Sequence, residues 1–91
     1  EAREGQAPYV PDSVIRGTIT EVETEQGQVF VEINVGGRDG VAPDMKFWVH
    51  RGDQFLGTIV ITAVNPQAAA GRVDLIQGEI GVGDEVLTGG L

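Results

Sequence analysis

Few residues in this chain could carry covalent or acid–base chemistry, and their spacing limits what they can do. His50 is the single histidine, Ser13 the single serine, and cysteine is absent. A catalytic histidine needs a nucleophile in reach and an acid that orients its ring. His50 sits in the run Phe47-Trp48-Val49-His50-Arg51, where a two-residue period puts it on one face with Trp48. No acid is placed beside it by that pattern, and Ser13 falls in the N-terminal linker. The reading is a surface histidine. The lack of cysteine removes disulfides, thiolate zinc sites and thiol nucleophiles together.

Carboxylates are plentiful, but they stand where turns need them. Asp39, Asp44 and Asp53 each lie in a predicted reversal, where aspartate bonds the local backbone. Calcium ligation is the alternative, and Gly36-Gly37-Arg38-Asp39-Gly40 lacks the alternating acidic spacing of a calcium loop. Gly81-Val82-Gly83-Asp84 holds a G-x-G without a third glycine or a following helix, so it is no dinucleotide fingerprint. Asp84 is expected to accept bonds from nearby amides in a tight turn. Neither a metal nor a cofactor is expected, nor is the chain expected to be an enzyme.

The elements that position these residues are strands. From Gly27 to Val49 the chain reads GQVFVEINVGGRDGVAPDMKFWV. Val29, Val31, Ile33 and Val35 fall on one face, and Phe30, Glu32 and Asn34 on the other. Three glycines in Gly36–Gly40 then break the run, and Phe47 and Val49 resume it. Further strands are predicted over 14–24, 54–64, 68–76 and 85–88, and a strand over 28–35 and another over 46–51 come from the central stretch. Glu25-Gln26-Gly27 and Gly52-Asp53 are hairpin turns. Three alanines in 68–70 favour helix in isolation, but Gly71 and its β-branched neighbours favour a strand.

Six short strands and no convincing helix predict an all-β fold, a small closed or partly open six-stranded barrel of SH3-like or related type. Gly17-Thr18-Ile19 recurs as Gly57-Thr58-Ile59, and Gly27-Gln28-Val29 recurs loosely as Gly71-Arg72-Val73. Residues 41–47 match 80–86 in their apolar positions. This echo predicts a barrel of two pseudo-twofold halves. Residues 1–12 are expected to be a linker or the end of a preceding helix, 13–88 the barrel, and 89–91 a tail. Beginning EAREGQAP without a methionine, the chain is expected to be part of a longer protein.

Composition bounds the partners. Among 91 residues, 14 acids against 6 bases give a net charge of −8, which repels nucleic-acid phosphates and anionic headgroups. Nucleic acid and direct membrane insertion are therefore not expected. Phe30 and Trp48 point opposite to the aliphatic core positions, toward the outside of a barrel, where large aromatics mark partner surfaces. The candidate partner-binding residues are Phe30, Trp48, His50 beside Trp48, and Arg38 in the glycine loop. An alternative covering of the two aromatics by Tyr9 and Val10 has equal weight. A second reading uses the loops 36–44 and 77–84, with Gly36, Gly37, Asp39 and Asp84, as a cradle for a small ligand or carbohydrate.

The order of residues also resembles a known family. G-x-I-x-x-V from Gly17, G-x-V-x-V-x-I-x-x-G-x-x-D-G-V from Gly27, the strand Met45 to Arg51, Gly57-Thr58-Ile59 and the closing I-x-V-G-D-x-V are similar to the small β-barrel of bacterial envelope assembly proteins. The nearest are the C-terminal domain of flagellar assembly protein T and, more distantly, the barrels of rod-shape-determining protein MreC. The resemblance implies a non-enzymatic, often periplasmic scaffold module that works by contact with a protein partner or with copies of itself. It carries no catalytic residue. Pro43 stands where the family more usually has glycine.

Overall fold

Two tight reversals set the first pairings. Gln26 (φ 52°) and Gly27 (φ 81°) both occupy the left-handed region, and this two-residue turn matches the twist of the strands it joins. It links β1 (Arg16–Glu25) to β2 (Gln28–Ile33). Gly52 (φ 59°) opens the second turn, between β3 (Lys46–Arg51) and β4 (Gln54–Val64). The computed structural model describes residues 14–88 and adds β5 (Ala69–Ile76) and β6 (Glu85–Leu87). The expected linker, Ser13 and the tail at 89–91 lie outside the described residues, as do Tyr9 and Val10.

The six strands close a ring in the order β1-β2-β5-β4-β3-β6, every neighbouring pair antiparallel. Residues 69–76 form strand, not helix, in keeping with their β-branched content. All six strands begin and stop within two residues of the predicted bounds. The strand predicted over 14–24 begins at Arg16, and β2 stops at Ile33 because Asn34 turns its side-chain oxygen onto the Thr18 amide, 2.8 Å away. A single short 3-10 turn, Gly37–Asp39, is the helical element among the described residues. No helix there is long and apolar enough to cross a membrane.

Alternation fills the inside. Ile19, Val31, Ile33, Phe47, Val49, Leu56, Ile59, Ile61 and Val86 are essentially inaccessible and pack as one core. Burying such side chains contributes about 1.5–3 kcal/mol each, the main stabilising term. The core is aliphatic around one aromatic, Phe47.

The ring maps onto itself when β1, β2 and β3 are exchanged with β4, β5 and β6, which matches the predicted pseudo-twofold. Registers agree in detail: Ile19 pairs with Ile33, and forty residues on, Ile59 pairs with Val73. Val49 faces Val86 at the centre of the β3–β6 pair, so these two are equivalent. Two of the predicted echoes need correcting: residues 41–47 do not align with 80–86, since Val86 corresponds to Val49 and not to Phe47, and residues 27–31 do not align with 71–75. By pairing, Ile33 corresponds to Val73, because apolar alternation repeats every two residues and a shifted alignment looks as good in sequence.

Candidate functional site

The two loops proposed as one cradle lie at opposite ends of the barrel. Residues 34–45 follow β2 and lie against the start of β5: the Gly37 amide donates to the Asn65 carbonyl at 2.8 Å, and Arg38 to Pro66 at 2.9 Å. The loop 77–84 follows the end of β5, where the Gln77 and Gly78 amides donate to the Leu56 carbonyl at 2.8 and 3.0 Å. Eight residues of β5 separate them, roughly 23 Å of strand. The twofold exchange of the halves imposes this separation.

Within the first loop the acid serves the backbone. Asp39 Oδ2 accepts the Gly36 amide at 3.0 Å, and Gly40 (φ 97°) ends the 3-10 turn by donating to Gly37. Gly36 is buried against Asn65 and Ala68, Gly37 and Asp39 are exposed, and Arg38 projects into solvent. Asp44, in the left-handed region at φ 70°, donates its amide to Ile61.

At the other end, Asp84 is 3% exposed. Its carboxylate accepts Arg51 Nε at 2.7 Å on Oδ1, and Arg51 Nη2 at 3.1 Å together with the Gly81 amide at 2.7 Å on Oδ2. The hydrogen bonds from Arg51 hold its pKa below the ordinary carboxylate range, assisted by the Gly81 amide and opposed by burial. The same pairing raises Arg51. A carboxylate with these partners is a structural pin, not an open ligand contact.

Phe30 and Trp48 both face outward, as expected, but not together. β2 and β3 are three places apart in the ring whichever way it is followed. Phe30 is half-buried between Glu23 on β1 and Arg72 on β5. Trp48, also half-buried, packs edge-on against Phe55 at 6.2 Å, with Lys46 Nζ 5.9 Å from its ring centre. Its neighbour Thr58 is buried beside it. His50 has Nδ1 3.1 Å from the Gly52 carbonyl and Nε2 3.5 Å from Glu85 Oε1. Among the described residues, no three of His, Asp and Glu gather where one ion could be held.

Sequence reasoning missed the apolar end of the barrel. Leu75, Ile76 and Val82 are 44%, 61% and 66% exposed. Ile76 lines a cleft of about 420 Å³ together with Val22, Val29, Val73, Ile80 and Glu79, among others. One signal was present: Leu75-Ile76 are adjacent, so two-residue alternation cannot bury both. The β4–β5 register shifts just before them, Ile59 pairing with Val73 and Thr58 with Leu75 so that Asp74 is the extra residue, and both Leu75 and Ile76 stand exposed. Comparison with models of protein families, with curated proteins and with solved structures found no match.

Proposed function

We propose that this chain is a non-enzymatic protein-interaction module, a scaffold barrel within a larger bacterial cell-envelope assembly protein. The observation that carries the reading is the exposure of Leu75, Ile76 and Val82, with Ile76 at the edge of a cleft that Val22, Val29, Val73 and Ile80 also line. Exposed large aliphatics beside a largely aliphatic-lined cleft favour burial against another macromolecule. The envelope setting rests on the resemblance in glycine and aliphatic order described above. Ionisable groups with short contacts, Asp84 and Arg51 foremost, are engaged in holding turns together.

The test is site-specific photo-crosslinking in cells that express the full-length protein. A crosslinker at Ile76 or Val82 is expected to give discrete protein adducts, and one at the exposed Thr62 on the outer wall none. Absence of adducts at Ile76 and Val82, or equal labelling at Thr62, overturns the reading.

A further inference from the structure

The wall of the barrel has an opening seam, and it coincides with the apolar cleft. The pairing of β2 with β5 runs from Ile33–Ala69 to Phe30–Arg72 and ends there. Yet β2 begins at Gln28, and β5 continues to Ile76. On their other sides these segments are fully paired, Gln28 and Val29 with Glu25 and Thr24 of β1, and Leu75 and Ile76 with Thr58 and Gly57 of β4. Among the described residues, therefore, no strand pairs with Val29 on the β5 side or with Val73–Ile76 on the β2 side, and the β2–β5 wall is open below Phe30. The opening is lined by Val22, Val29, Val73, Ile76 and Ile80.

Unpaired strand edges are templates for another strand, and barrels ordinarily abolish them. Here main-chain groups for hydrogen bonding and apolar side chains for alternate residues occupy the same gap, the two requirements for peptide recognition by strand addition. Charge selects among occupants. The cleft contains Glu79 and neither lysine nor arginine among its described lining residues, and the adjoining hairpin carries Glu23 and Glu25, both exposed. Arg72, at the top of the seam, lies 3.5 Å from Asp74. A second copy would bring the same acidic rim against this one, within a chain whose net charge is −8.

We infer that the seam between β2 and β5 is the docking site of an extended partner segment, apolar at alternate positions and flanked by lysine or arginine. This rests on the protein-interaction reading and gives it a place and a partner chemistry.

The probe is the peptide KKVTVTVKK, titrated into the nitrogen-15-labelled chain and followed by amide NMR. Shifts are expected at Gln28–Phe30 and Val73–Gln77. The acidic counterpart EEVTVTVEE, and KKVTVTVKK N-methylated at alternate residues, are expected to bind at least ten-fold more weakly. Ile76→Arg and Glu79→Lys, both at exposed positions, are expected to weaken KKVTVTVKK at least ten-fold while leaving the remaining amide spectrum in place. Shifts confined to other walls, equal binding of either control peptide, or concentration-dependent shifts at the seam without peptide, which would make the occupant a second copy, overturn the inference. The outcomes separate from the crosslinking test: adducts at Ile76 without binding of KKVTVTVKK sink the cationic strand and spare the interaction module. Binding without adducts does the reverse.

Discussion

Arg51 holds Asp84 in a two-point grip, Nε to Oδ1 at 2.7 Å and Nη2 to Oδ2 at 3.1 Å, across thirty-three residues of sequence. The same Nη2 reaches the Glu79 carbonyl at 3.0 Å, so one guanidinium fastens the end of β3 to both sides of the loop 77–84. That loop carries Ile80 under the core and Val82 into solvent. The grip thus shapes the apolar end of the barrel as well as stabilising it. Replacing Asp84 with asparagine loses the charge-assisted bonds and turns a donor toward Arg51. Asp84→Asn is expected to cost about 2 kcal/mol in urea unfolding, on the scale of hydrogen bonds to buried charged groups.

The same carboxylate predicts how stability depends on acid. Its folded-state pKa lies below the unfolded value, chiefly through Arg51. The contribution is complete above the ordinary carboxylate range, and it is lost as the pH falls through that range toward the folded-state value. Stability of the native chain is therefore expected to fall between about pH 5 and pH 2. The difference between native and Asp84→Asn should shrink over the same interval, measured by urea midpoints at each pH. A difference that stays constant down to low pH would show that the carboxylate charge is not the source.

Gly36 tests how closely the backbone must approach the β4–β5 turn. A Cβ there would collide with the Asn65 carbonyl oxygen and the Ala68 nitrogen, both main-chain atoms with nowhere to move. Gly36→Ala is expected to cost about 3 kcal/mol or more. Gly27 provides the contrast, since a Cβ there meets nothing within 4 Å and only its φ of 81° resists substitution. Gly27→Ala is expected to cost about 1 kcal/mol. Comparable losses at the two sites would refute the steric account.

Thr58 predicts a substitution that does no harm. Its hydroxyl is buried with no hydrogen-bond partner among the described residues, in a strand whose geometry suits valine. Thr58→Val removes an unmet polar group and keeps the shape, so thermal unfolding is expected to be unchanged or raised by the equivalent of up to about 1 kcal/mol. A loss of similar size would mean that the hydroxyl is bonded in solution.

What was legible before folding was local. Val29, Val31 and Ile33 announce a strand because neighbouring side chains on an extended backbone must face opposite ways. Gly27, Gly40 and Gly52 announce reversals because their left-handed φ excludes most other residues. From such signals six strands, an all-β barrel and its doubled plan follow from the sequence alone. Even the outward orientation of Phe30 and Trp48 could be read. That they stand three strands apart, that the glycine loop and the loop 77–84 occupy opposite ends, and that Asp84 is buried under Arg51 were decided by ring closure. Pairing partners distant in sequence carry no periodic mark, and a bulge such as that at Thr58–Ile59 moves every later side chain without changing the pattern. The seam below Phe30–Arg72 belongs to the same class: it exists only where two strands stop pairing, which no residue in either strand specifies by itself.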